Sequence, residues 1–212
     1  VLITTILGTS AASLDAATLH VANNGIDSDS CGARNAPCRS VSRAVVNAAV
    51  GDTIEVGPGR YGDLNRDGRF GGPGEEAAPA SGCRRMIEVN KRLTLKSSDG
   101  AGVTILDASN AEVTGVFVNA DGGTFGSSGH GLTIVNARNE GLHVEGNGVT
   151  VAGNVAVGNG VNGNIAIAVI GTGSLIADNA AINNFNVGIQ LNGDGTITGN
   201  VASANLAFSA TE

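Results

Sequence analysis

Two stretches of this chain combine residue types and spacings that could do chemistry. The first is GDLNRDGRFGGPGEE, Gly62 to Glu76, in which Asp63, Asn65 and Asp67 stand two apart and Gly68 follows. Oxygen donors at alternate positions before a glycine turn match the first half of an EF-hand-type calcium loop, which gathers hard oxygens around a hard cation. Arg69 would add its backbone carbonyl, and Phe70 sits where such loops carry an apolar anchor. Where the loop should end on a bidentate Glu this one has Gly74, and the acids follow as Glu75 and Glu76. The segment is expected to bind calcium through Asp63, Asn65, Asp67, Arg69, Glu75 and Glu76 along an altered path. The ion would order the loop and take no part in a reaction. An ordinary solvated Asp/Asn/Gly turn is the alternative.

The second is GLHVEG. His143 and Glu145 alternate with Leu142 and Val144, so both project outward from one strand, with Arg138 and Glu140 at the preceding corner. An outward His/Glu/Arg group can line a sugar-binding groove or act as an acid/base pair; a solvated face is the alternative. Arg92, in NKR at Asn90–Arg92, belongs to the close Lys/Arg pair near a strand. His130, between glycines in SSGHGL, reads as a turn residue. The sequence has no G-x-S-x-G, no Walker loop and no CxxC or Cys/His cluster for zinc.

The elements that must position these residues follow from composition. In 212 residues there are 33 Gly, no Trp and 3% aromatics, and 42% are hydrophobic, mostly Val, Ile, Leu and Ala. That mixture suits many short strands joined by tight turns in one domain. A net charge of −7 without a basic run excludes nucleic acid as a partner and argues against an anionic membrane surface.

One helix is expected, over SVSRAVVNAA from Ser40 to Ala49, where Val41, Ala44, Val45 and Ala48 share a face and Gly51 supplies the stop. From Met86 onward short alternating runs recur: IEVN, RLTLKS, VTILDA, GVFVNA, GLTIVN, GLHVEG, GVTVAGN, IAIAVI, GIQLNG and GTITGN. The pattern N-x-A-x-x-N begins at Asn154, returns 25 residues later at Asn179 and 21 later at Asn200. A period of this size marks a solenoid. Asn154, Asn179 and Asn200, with Asn159, Asn184 and Asn205, would repeat at corners of successive coils. Each amide can bond its counterpart about 4.8 Å along the stack, and Asn tolerates the left-handed backbone of a tight corner.

These repeats resemble the right-handed parallel β-helix of the pectin-lyase-like superfamily. The front end, LHVANNGIDSDSCGARNAPCRSVSRAVVNAAVGDTIEVGPGRYGD followed by IEVNKRLTLKSSDGAGVTILDAS, resembles its bacterial secreted members. The likeness runs from about residue 18 to 212. It implies an all-β parallel β-helix whose open end is capped by the Ser40–Ala49 helix. The superfamily spans lyases, hydrolases, epimerases and adhesins, so it implies no single activity. Its lyases use an Arg or Lys base beside calcium-binding acids, which makes Arg92 a candidate, yet no matching acidic cluster follows. Its polygalacturonases carry a G-H-G element like that at His130 together with N-T-D, an Asp pair and R-I-K, which are missing.

Residues 1–16 read as the remnant of a secretory signal, with Val1–Gly8 too short to span a bilayer and cleavage after Ala12 or Ala16; a first strand is the alternative. Residues 17–212 form the β-helix domain: N-cap to about 60, loop insertion at about 62–84, coils from about 86. LAFSATE follows a repeat directly, so both ends are expected to be truncated relative to the natural product. If the chain is exported, Cys31 and Cys38 in CGARNAPC are disulfide candidates, stabilising by up to about 3 kcal/mol; Cys83 could pair with either. The reading at this point is a secreted, periplasmic or cell-surface bacterial module engaging extracellular polysaccharide. The alternative is a fragment of a polysaccharide lyase or glycoside hydrolase.

Overall fold

A strand that alternates apolar and polar residues buries one face only, and a succession of such strands can bury that face by winding into stacked coils. A computed structural model of the chain, which describes residues 15–76, 84–109 and 111–206, has this form. All its named strand pairs are parallel, in three sheets. The first sheet holds β1 (Thr18–Val21), β2 (Thr53–Val56), β5 (Thr94–Ser97), β8 (Thr124–Phe125), β11 (Thr150–Ala152), β14 (Ser174–Ala177) and β17 (Gly195–Thr198). The second holds β3 (Gly59–Gly62), β6 (Thr104–Asp107), β9 (Thr133–Val135), β12 (Val155–Val157), β15 (Ala180–Ile182) and β18 (Val201–Ser203). The third holds β4 (Arg85–Val89), β7 (Thr114–Val118), β10 (Leu142–Glu145), β13 (Ile167–Ile170) and β16 (Ile189–Asn192). From β2 onward the chain visits the three sheets in turn.

Register stacks like on like inside the coils. Leu19, Ile54, Leu95, Phe125, Val151 and Ile176 form one buried column in the first sheet. In the third sheet the column is Ile87, Val116, Leu142 and Ile167. The second sheet tapers from Tyr61 through Leu106 and Ile134 to Ala156 and Ala181. Each large side chain buried this way contributes about 1.5–3 kcal/mol.

Two buried asparagine ladders run along the corners on either side of β12. Asn154 Nδ2 donates to Asn179 Oδ1 (3.2 Å), and Asn179 Nδ2 to Asn200 Oδ1 (3.0 Å). Asn159 donates likewise to Asn184 (3.2 Å), and Asn184 to Asn205 (2.9 Å). The same acceptor oxygens also take the backbone N–H of the asparagine one coil earlier. Where the earlier coil has no Asn, the amides of Leu132 and Ala137 donate to the ladder instead.

The helix is shorter than its periodicity implies. α1 spans Val41–Asn47, with Ser40 as N-cap accepting from Arg43 N, and Ala48 is already extended. Lys91 ends it from outside: its Nζ donates to the carbonyls of Val45, Val46 and Ala48, at 2.7, 3.0 and 2.7 Å. Val41, Ala44 and Val45 are buried, and the helix packs against β1, β2 and β4. Cys31 and Cys38 are bonded and buried, with Asn47 Nδ2 donating to Cys31 O (3.1 Å). Cys83, the leader to residue 14 and the stretch after residue 206 lie outside the described residues.

Candidate functional site

The outward side of the third sheet brings together several chemically capable side chains. Alternation sends every second residue of β4, β7 and β10 away from the core. Register then places Glu88, Phe117 and His143 in one outward column, with Arg85 paired to Thr114 beside it. The Arg85 guanidinium lies 3.5 Å from the centroid of the Phe117 ring, and its Nη1 donates to Glu88 Oε1 (2.8 Å). On the other side of Phe117 the His143 ring stacks at 5.4 Å with a 39° tilt. A groove of about 400 Å³ opens here, lined by Arg84, Arg85, Thr114, Phe117, Asn139, Glu140, His143 and Glu145.

Two carboxylates flank the imidazole. Nδ1 of His143 is 3.8 Å from Glu140 Oε1, an ion-pair distance, and Nε2 is 3.3 Å from Glu145 Oε1. Nε2 is buried and misaligned with Glu145, so it has no hydrogen-bond partner among the described residues. The Glu140 carboxylate raises the His143 pKa above its ordinary value, outweighing partial burial, with Glu145 adding to the effect. Burial pushes Glu140 up, but contacts from His143, the backbone and the Thr114 hydroxyl (2.8 Å) outweigh it and hold the carboxyl below its ordinary range. The arrangement can donate and accept hydrogen bonds within one groove and can hold a proton on His143.

His143 and Glu145 thus meet, together with Glu140. Arg92 does not join them: it lies at the corner leading to the first sheet, where its carbonyl accepts Gly51 N (2.7 Å), and it does not line the groove. Arg138 also stays out of the lining. Arg85 and Phe117 were not singled out by sequence. Alternation in TGVFV sends Phe117 outward beside Glu88, but Arg85 shares the parity of the inward Ile87 and Val89, so the sequence pattern does not place its guanidinium over the Phe117 ring.

The Asp63–Glu76 segment winds around its own polar side chains. Asp63, buried, accepts Arg66 N and Gly68 N at 2.7 and 2.8 Å, and Gly68 takes the left-handed φ of +78° that this turn requires. Asn65 Oδ1 accepts Asp67 N, and Asp67 Oδ1 accepts Arg69 N, both at 2.8 Å. Glu75 accepts Asn65 N and Gly72 N.

Glu76 corrects the expected ligand set. Its carboxylate turns away to α1, where it accepts Val41 N (3.0 Å), Ser42 N (2.8 Å) and Ser42 Oγ (2.6 Å). The start of a helix offers unpaired N–H groups, and a buried carboxylate satisfies them. Burial pushes this carboxyl's pKa up. Among the described residues, no three of the loop's carboxylates offer oxygens within 4.8 Å of one another.

Elsewhere, His130 Nδ1 lies 3.1 Å from the carbonyls of Ser97 and Ser98, as a turn residue would. A second cleft, of about 610 Å³, lies between the disulfide loop and the first sheet, where His20 Nδ1 is 3.4 Å and Arg34 Nη2 3.9 Å from Glu55 Oε1. No helix among the described residues is long and apolar enough to cross a membrane.

No protein-family model and no curated protein matches the chain. Among solved structures, pectate lyase Pel9A superimposes with a TM-score of 0.60 at 18% identity, over 87% of this chain and 47% of that one. The chain therefore spans about half the length of that lyase. A pectin methylesterase in complex with a hexasaccharide aligns with a TM-score of 0.45 at 11% identity, over 91% of this chain and 67% of that one. Three parallel sheets visited in constant order, the inward columns and the match to the lyase identify the fold: the chain is a right-handed parallel β-helix, the fold of that lyase.

Proposed function

We propose that this β-helix is an exported module that binds an extracellular glycan across the outer face of its third sheet, without a catalytic step in this segment. The observation that carries the reading is the groove itself. Carboxylates at Glu140 and Glu145, guanidiniums at Arg84 and Arg85 and the Asn139 amide converge there, and a hydroxyl-rich ligand needs such paired donors and acceptors. The Cys31–Cys38 bond supports passage through an oxidising compartment. Phe117 is covered by Arg85, so sugar rings would be held by hydrogen bonds and not by an open aromatic platform.

The test is a titration of the chain with acidic and neutral polysaccharides, reading binding and chain cleavage together. Binding without cleavage is expected. Replacing His143 or Arg85 with Ala should weaken it by about tenfold, the loss of one charge-assisted hydrogen bond. Cleavage would favour the second reading, a fragment of a polysaccharide-degrading enzyme. The flanking of His143 by two carboxylates supports that reading, because such a ring can relay a proton.

The 63–75 loop is proposed to hold calcium in a structural role. Its support is the donor set of Asp63, Asn65, Asp67 and Glu75, in which each carboxylate keeps lone pairs beyond its amide contacts. Calorimetry should show binding that Asp67→Ala weakens. A flat titration, with Asp67→Ala indistinguishable from wild type, would remove the ion.

A further inference from the structure

We propose that the groove on the third sheet takes a glycan free of acidic groups and discriminates against polyuronates; the proposal rests on the glycan-binding reading above. Charge complementarity carries it. In the lining itself Arg84 and Arg85 balance Glu140 and Glu145, but each guanidinium also pairs with a carboxylate beside the groove, Glu112 and Glu88, so this wider cluster carries two net negative charges, or one when His143 is protonated. The chain as a whole carries −7, so the surroundings add to the repulsion of a polyanion.

The cations present are already committed. Arg85 donates to Glu88 at 2.8 Å, and its flat face is closed by the Phe117 ring at 3.5 Å. Arg84 Nη1 lies 3.6 Å from Glu112 Oε2. A ligand carboxylate entering the groove would have to displace one of these partners. It would also face Glu145, whose side chain is 50% exposed and whose near contact, His143 Nε2, is misaligned for a hydrogen bond.

A hydroxyl or an ammonium meets the opposite situation. Glu145, half exposed and without a side-chain hydrogen bond among the described residues, is the ready acceptor in the groove lining, and charge-assisted bonds to it are the strong kind. Neutral sugars supply the hydroxyls, and amino sugars add an attractive charge. One carboxylate per sugar of a polyuronate sets like charges a few ångströms apart, which at an interfacial dielectric amounts to about tenfold in affinity or more.

The experiment uses the full chain and three oligosaccharides of equal length: a neutral one, an amine-bearing one and a polyuronate. Dissociation constants are measured by calorimetry at low and high salt, each with calcium and with a chelator. The neutral and amine-bearing ligands should bind at least about tenfold tighter than the polyuronate at low salt, with the gap narrowing as salt screens the charges. Glu145→Gln keeps an acceptor oxygen but removes a charge, so it should narrow the gap without abolishing neutral-glycan binding. A polyuronate bound as tightly as the others, in either calcium condition, overturns the proposal, as does an unchanged gap in Glu145→Gln. Binding of none of the three would instead sink the glycan-binding reading on which it rests.

Discussion

Between Glu140 and Glu145, the His143 ring is held in a field that favours its proton, and the stability this contributes is lost at both ends of the pH scale. The His143 pKa is raised above 6.5, so its contribution is fully present below that value and is lost as pH rises through the folded pKa. Glu140 is lowered below 4.5, so its contribution is present above that value and is lost as pH falls through the folded pKa. The pair therefore stabilises most between these two ordinary values. Glu140→Gln should bring the His143 titration, followed by NMR, back down toward its ordinary value and flatten the acid side of an unfolding curve measured against pH. His143 and Glu145 were legible in the sequence because alternation alone sends them outward. Phe117 and Arg85 were not, because their role depends on which coil each strand pairs with. Glu76 was misread for a related reason: its spacing after Asp67 suggested the loop, but the unpaired amides at the start of α1, distant in sequence, claim its carboxylate.

The strands and the ladder corners show the same division. The N-x-A-x-x-N pattern marks the corners through amides that hydrogen-bond along the stack, but the left-handed backbone expected of the asparagines falls on the residue before each: Gly153, Gly158, Asp178, Asn183, Gly199 and Ala204. What the sequence did not reveal was that each oxygen serves two donors. Asn179→Ala would leave the buried Asn154 backbone N–H without its acceptor and remove the donor to the Val151 carbonyl, while the Asn154 side-chain amide keeps the carbonyls of Phe125 and Ala152. The expected loss is about 2–4 kcal/mol, seen as a lower thermal midpoint. Asn162→Ala, which removes an exposed contact to Asn139, should change stability by no more than about 0.5 kcal/mol. The helix was legible by its apolar face. Its early end was not, because it depends on Lys91, from the strand connection over forty residues away, reaching its last carbonyls.

At the scale of the whole molecule, each coil touches chiefly its neighbours, so stability should be graded along the axis. The central columns are closed, whereas Ile197 and Val201 in the last described coil are 52% and 54% exposed. Amide exchange should therefore be slowest in β7, β10 and β12 and fastest in β17 and β18. Reducing Cys31–Cys38 releases a loop with a sequence separation of 7, worth about 2.5 kcal/mol in chain entropy, and should loosen the first coil with little effect on the last. The ladders have one more consequence, for how such a chain can change length. Because an asparagine recurs at the same corner after 25 and then 21 residues, removing one whole repeat, from Val155 through Asn179, would join Asn154 directly to Ala180 and leave the next asparagine one coil away. Removing a single residue inside a strand would turn its remaining inward side chains out to water. Length variation in a protein built this way is thus restricted to whole coils or to loops at the corners, and neighbouring proteins that differ in reach should differ by multiples of one turn.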